Sequence, residues 1–257
     1  MAVFQGNVYS RELNMVTQVY LCLPQDNVCR STDSQPMRTL VLLHGLTDNA
    51  SAWVYRTSIL RYAEEQNMAV LIPEAGKSFF QDMKYGEKYE SYIAEELPEL
   101  AAKMFRIPTD RRNMGICGVS MGGYGALWIA LRHASKFSTC GVFSPVSDVN
   151  QFVHENVMGD WVQGTINKDA VAIWGTEGIL PDSVNLHEKI ASFSEQKNKL
   201  SVYLTCGKQD PLYKSCQELR ASLAKCKKIE LFYEERNGTH GWEFWDEAIQ
   251  KYIGSLK

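Results

Sequence analysis

The sequence predicts an α/β fold in which a mostly parallel, doubly wound sheet begins with antiparallel amino-terminal strands and carries a small insertion after its sixth strand. Three observations predict it. Six apolar runs, at 39–43, 69–73, 114–117, 140–143, 202–206 and 229–233, are too short and too continuous for amphipathic helices and read as strands buried on both faces. Between them, 52–66, 89–105, 122–133, 212–225 and 242–253 place apolar residues at helical spacing. Such alternation implies a parallel sheet with right-handed crossovers and helices on both faces. At the amino terminus the period changes. Val16, Gln18, Tyr20 and Cys22 alternate with Thr17, Val19, Leu21 and Leu23 as in a half-buried strand, so two antiparallel strands ending near Pro24 should open the sheet.

A length of 257 residues suits one domain, 1–257, with no linker and no internal repeat. The polar segment 25–38 reads as a surface loop. From 144 to 199 the strand-helix rhythm lapses into short apolar pieces punctuated by glycines, as expected of an insertion over the carboxyl edge of the sheet that shapes a substrate pocket. Its Trp161 and Trp174 are candidates for contact with an acyl or aromatic group. Anchoring of the insertion to the core is the alternative for both.

A net charge of −3, with no basic cluster beyond pairs such as Arg111-Arg112, gives no electrostatic reason to bind nucleic acid or acidic lipid. The chain shows neither a secretory signal nor an apolar run long enough to span a membrane, so a cytoplasmic location is expected. Seven scattered cysteines do not make a disulfide framework. With no metal-ligand spacing among His, Cys, Asp and Glu, and no glycine-rich phosphate loop with a lysine, no metal and no cofactor is expected.

Gly118-Val119-Ser120-Met121-Gly122, between a strand and a helix, reads as a nucleophile elbow. A serine hydroxyl attacks poorly unless it is exposed on a strained turn beside a base, and glycines two residues before and after give that turn room. The pattern alone would recur by chance in roughly one chain in ten of this length. Its context raises it. Asp210 follows the strand 202–206, and His240 lies in the loop after the strand 229–233. The order Ser, Asp, His is that of α/β-hydrolases.

Ser120 is therefore the candidate nucleophile, His240 the candidate base and then acid, and Asp210 the group that orients the imidazole. Asp210 before Pro211 is also a good helix start, and Asp148 and Asp182 are rival acids that do not follow the penultimate strand. Among five histidines, His133 sits at a helix end, and His154 and His187 lie in polar stretches that look solvated. His44 closes the strand 39–43 and is read as supporting the loop His44-Gly45-Leu46-Thr47-Asp48. There the Leu46 N–H, with that of Met121, would form an oxyanion hole.

The chain resembles the esterase D superfamily of α/β-hydrolases, and within it the tributyrin-esterase type of small acyl esterase. The pieces that carry the resemblance are His44-Gly45-Leu46-Thr47-Asp48-Asn49 with Trp53 and Arg56-Thr57, Tyr85-Gly86 with Tyr89, Tyr92 and Glu95-Glu96-Leu97-Pro98, and Gly118 through Ala126. Cys206-Gly207-Lys208-Gln209-Asp210 with Leu212-Tyr213, and Gly238-Thr239-His240 with Trp242 and Trp245, complete the match. The resemblance implies a serine carboxylesterase for short-chain acyl esters, with a small-molecule or an acetylated or feruloylated carbohydrate ester as substrate. It also implies a homo-oligomer, since such relatives assemble as dimers or tetramers. S-formylglutathione-type thioesterase and acyltransferase are the alternatives. From the former this chain departs at Val119, where those enzymes carry a histidine, and in a shorter segment after its first His-Gly. A hydrolase fold kept as a binding module without catalysis is disfavoured by intact residues at all three positions.

Overall fold

Strands β1 (Ala2–Ser10) and β2 (Met15–Leu23) pair antiparallel over their full lengths and open the sheet. The computed structural model describes residues 1–25, 36–176 and 178–256, without the side chains of 160, 161 and 163–165. Most of the 25–38 loop thus lies outside the described residues. β3 (Arg38–Leu43), β4 (Met68–Pro73), β5 (Met114–Val119), β6 (Thr139–Phe143), β7 (Leu200–Gly207) and β8 (Ile229–Arg236) follow, each predicted run recovered with a residue or more added. The described sheet has the order β1-β2-β4-β3-β5-β6-β7-β8, antiparallel through β4 and parallel from there to β8.

The central strands are buried on both faces, and the core divides accordingly. On one face lie α1 (Ala52–Arg56), α2 (Ile59–Glu65) and α9 (Trp242–Ser255), which bury Trp53, Ile59, Tyr62, Phe244, Trp245 and Ile249. On the other lie α3 (89–105), α4 (Met121–Arg132), α7 (Leu186–Phe193) and α8 (Tyr213–Lys225). The stretch 52–66, expected as one helix, is two. Thr57 is extended, its hydroxyl accepts from the Ile59 N–H, and the Ser58 N–H donates to Asp246 of α9 at 2.7 Å, so the chain turns onto its neighbour. In α3 the imino acid Pro98 has no N–H to give, and the turn ahead of it widens to π geometry at Tyr92–Glu96, with the Leu97 N–H donating to the Tyr92 carbonyl.

The insertion is smaller than 144–199. Residues 186–193 form α7, the crossover helix between β6 and β7, which packs on α4 and α8. Among the described residues, only α5 (Val149–His154), α6 (Asp160–Trp174) and a 3₁₀ turn at Asp182–Val184 depart from the strand-helix rhythm. Asp148, the rival acid, caps α5 by accepting from the Gln151 N–H at 3.0 Å, and Asp182 begins the 3₁₀ turn.

One buried carboxylate makes the closest polar ties between the hairpin and α3. Buried Glu96 accepts from the Ser10 hydroxyl at 2.5 Å and from the Arg11 and Glu12 N–H groups at 2.8 and 3.2 Å, which holds its carboxyl below the usual range against the effect of burial. Glu96→Ala strands those donors, and the expected loss is about 2 kcal/mol of stability, read as a lower urea midpoint at unchanged slope.

Candidate active site

Strand β5 runs into α4 through one strained residue. Ser120 has φ 55° and ψ −118°, outside the regions open to most side chains, and the strain lifts its hydroxyl out of the chain. Two close approaches explain the flanking glycines. A Cβ on Gly118 would stand 2.2 Å from the Gly122 carbonyl oxygen, and one on Gly122 would stand 2.6 Å from the carbonyl oxygens of both Leu43 and His44. The turn is pinned by the Ser120 N–H donating to the Phe143 carbonyl at 2.9 Å.

The structure brings together the three residues that the sequence singled out. His240 Nε2 lies 3.0 Å from Ser120 Oγ, and His240 Nδ1 lies 2.9 Å from Asp210 Oδ2 and 3.1 Å from Oδ1. An Nδ1–H donating to the carboxylate leaves Nε2 free to accept from the hydroxyl. The Asp210 side chain is wholly buried, and its Oδ1 also accepts from the Leu212 N–H at 2.8 Å, so it both meets the imidazole and caps the following turn. The loops carrying Asp210 and His240 are stitched by Gln209, whose N–H donates to the Gly238 carbonyl at 3.0 Å while its side chain accepts from the Gly238 N–H at 2.6 Å. Trp245 packs edge-on against His240 with ring centroids 4.9 Å apart, and its indole N–H reaches Ser144 Oγ at 3.2 Å.

His44 stands behind the loop as a buried support. Its Nδ1 is 2.8 Å from the Gly45 carbonyl, and its Nε2 accepts from the Ala75 N–H at 3.2 Å. Glu74 bridges the same two loops, accepting from the Ala50 and Gly76 N–H groups at 2.9 Å each. Phe80, one of two successive phenylalanines with positive φ, sets its ring 5.5 Å from His44. Gly45-Leu46-Thr47 is thereby held beside Ser120. Among the described residues no backbone carbonyl accepts from the N–H of Leu46 or Met121.

A cavity of about 320 Å³ opens over Ser120 and His240. Its apolar walls are Phe152, Met158 and Val162 from the insertion and Trp242 and Trp245 from α9, with Asp48 and Arg56 as its charged groups. Burial pushes the Asp48 carboxyl up, with Arg56 opposing. Trp174 does not line this cavity. Its indole packs on Phe79 at 5.3 Å within the aromatic layer that anchors the insertion, and the side chain of Trp161 lies outside the described residues. The expectation of Trp174 as a pocket wall fails because α6 turns that residue toward the core. Trp242 and Trp245, read only as parts of a motif, had a local signal in their closeness to His240.

The other histidines are held by structure. His133 Nε2 lies 2.9 Å from buried Glu90, and His187 Nδ1 lies 2.7 Å from Ser222 Oγ, so His187 is less solvated than its surroundings in sequence suggested, while His154 is exposed. Among the described residues no group of three or more His, Cys, Asp or Glu side chains is arranged to hold a metal ion, and no helix is long and apolar enough to cross a membrane.

A family model described as "Putative esterase" matches residues 10–255. An acetyl esterase of Caldicellulosiruptor saccharolyticus is 27% identical over 97% of this chain and 96% of its own. Among solved structures, a substrate-bound fluorophosphonate-binding serine hydrolase of Staphylococcus aureus, FphF, superposes with a TM-score of 0.82 at 28% identity, covering 99% of this chain and 98% of that one. The S-formylglutathione hydrolase FrmB of Staphylococcus aureus superposes at 0.81 with the same identity and coverage.

Burial pushes the His44 imidazole below its ordinary 6.5, against the pull of Glu74. The unfolded chain then binds the proton more readily, so the stability His44 contributes is complete above about pH 6.5 and is lost as pH falls toward the folded value. The melting temperature should therefore drop between about pH 7 and about pH 5, and drop less steeply in His44→Gln, by calorimetry at both pH values.

Proposed function

Because this chain belongs to the esterase family and is a carboxylic ester hydrolase, we propose that it cleaves short-chain acyl esters by two-step acyl transfer through Ser120, His240 and Asp210. The observation that carries the reading is the unbroken succession of hydroxyl, imidazole and carboxylate, at 3.0 and 2.9 Å, on a strained elbow at the floor of a cavity.

Ser120 Oγ attacks the ester carbonyl carbon while His240 Nε2 takes the hydroxyl proton. Asp210, which holds Nδ1–H, favours the imidazolium that forms. The carbonyl oxygen, now an oxyanion, accepts from the Leu46 and Met121 N–H groups, each donor contributing about 3 kcal/mol to the transition state. Collapse breaks the bond to the alcohol oxygen, which leaves with the proton from His240. Water enters, gives its proton to His240, attacks the acyl-enzyme, and releases the acid and the Ser120 hydroxyl.

A cavity of about 320 Å³ with apolar walls suits a short acyl chain, and an alcohol as large as a sugar would stay outside it. Acetylated or feruloylated carbohydrate is the substrate class this favours. The exposed guanidinium of Arg56 at the cavity supports a second reading, in which the leaving group carries a carboxylate, as a glutathione thioester does. Rates on matched acetyl esters and thioesters, with and without a carboxylate on the leaving group, separate the two.

Ser120→Ala should lower turnover of p-nitrophenyl acetate by on the order of 10⁵-fold and abolish labelling by a fluorophosphonate. Asp210→Asn should lower turnover by about 10⁴-fold with the labelling serine still present. A Ser120→Ala protein that keeps both activity and labelling overturns the assignment.

A further inference from the structure

Strand β1 is an edge of the sheet, hydrogen-bonded on one side to β2 and on the other to no strand among the described residues. Free edges usually carry a charge, a proline or a bulge that prevents pairing with another chain. The opposite edge does so, since β8 carries Glu230, Glu234, Glu235 and Arg236. The nine residues of β1, Ala-Val-Phe-Gln-Gly-Asn-Val-Tyr-Ser, contain no charge and no proline. Val3, Phe4 and Tyr9 are exposed along it, and the apolar surface continues onto Val16 of β2 on one face and onto Met104 and Phe105 of α3, where Phe4 meets Phe105 at 5.8 Å, on the other.

We infer that β1 pairs antiparallel with β1 of a second copy about a two-fold axis through Gly6, joining two sheets into one. The register follows from geometry. In an antiparallel ladder the outward-pointing N–H and C=O groups belong to alternate residues, so a two-fold axis must pass through a residue rather than between two. Centred on Gly6, the pairing uses the whole strand and sets like beside like: Ala2 opposite Ser10, Val3 opposite Tyr9, Phe4 opposite Val8, and Gln5 opposite Asn7. The small residues meet at the ends, aromatic meets β-branched, and amide meets amide. No such matching arises about Gln5 or Asn7, where the strand also overhangs.

Gly6 itself is the second observation. Its backbone is not in the left-handed region, and a Cβ there would meet nothing within 4 Å. Nothing in one copy requires a glycine at the centre of this strand, where it weakens pairing with β2. In the two-fold pair the glycine lies diagonal to Phe4 of the second copy, and the space over it receives that ring.

The test is charge exchange across the axis, read by sedimentation equilibrium of the full chain, with circular dichroism melting to establish folding. The native chain should sediment as an even-numbered assembly. Gln5→Glu with Asn7→Glu sets like charges opposite, and should raise the dissociation constant about tenfold or more. Gln5→Lys with Asn7→Glu sets Lys opposite Glu and should restore assembly. Gly6→Cys should form a disulfide-linked dimer under mild oxidation that the native chain does not form, because residue 6 alone faces its own copy. A native chain that is monomeric at tens of micromolar, or an assembly that Q5E/N7E leaves intact, overturns the inference. Should Q5E/N7E not fold, absence of the linked dimer in folded Gly6→Cys overturns it equally.

Discussion

The contact on which the rest of the site depends is between backbones: the Cα of Gly122 lies against the carbonyls of Leu43 and His44. That approach brings the start of α4 against the end of β3, and so sets two loops from different crossovers beside Ser120. Leu46 and Met121 can aim their N–H groups at a common point only if these loops cannot separate. A methyl group at 122 would drive them apart. The strain at Ser120 belongs to the same arrangement, since this residue joins β5 to the start of α4.

Around that contact the polar groups are arranged so that little reorganises when charge appears. Asp210 is buried but accepts three hydrogen bonds from two donors, the His240 ring and the Leu212 N–H. His44 is buried, and burial favours its neutral form, which gives its Nδ1 side to Gly45 and receives Ala75 at Nε2. Both are held in place by bonds already made, so that in the proposed reaction the Asp210 charge and the loop that His44 supports need not be realigned. The walls are supplied separately. Phe152, Met158 and Val162 come from the insertion, away from the segments that carry Ser120, Asp210 and His240, whereas Trp242 and Trp245 come from the helix after the histidine, and Trp245 packs on its ring.

How legible this was in the sequence follows from where each constraint is written. Buried strands appear as unbroken apolar runs, and β3 to β7 were visible because a parallel sheet covered on both faces leaves no polar side to alternate with, whereas β8, an edge strand with Glu230 and Phe232 exposed, is not buried on both faces as the sequence suggested. The elbow was visible because its glycines are required by sterics that admit no other residue. Helix α7 was less so. Leu186, Ile190 and Phe193 do recur at helical spacing behind the Asn185 cap, but the helix has eight residues and follows a glycine-rich segment. The direction of Trp174 was not written locally at all. It depends on how α6 is docked, through the Lys84 and Tyr85 N–H groups donating to the Ile173 and Ala172 carbonyls, and such contacts between distant segments leave no period in the sequence. The break at Thr57 is similar, being imposed by Asp246, nearly two hundred positions away.

The two edges of the sheet are then used in opposite ways. β8 leads into His240, and two of its acids are occupied: Glu235 accepts from Tyr233 and Tyr213, which hold its carboxyl at about 2, and Glu234 takes Tyr203 and Lys251. Charges fixed along that edge discourage a foreign strand and steady the strand that leads to His240. β1 lies four strands from β5, about 19 Å across the sheet at ordinary spacing. A neutral strand can be left open there, because whatever pairs with it joins the sheet at the margin farthest from the histidine and leaves the cavity mouth untouched. The pairing inferred at β1 and the chemistry proposed at Ser120 thus fall on different parts of the sheet.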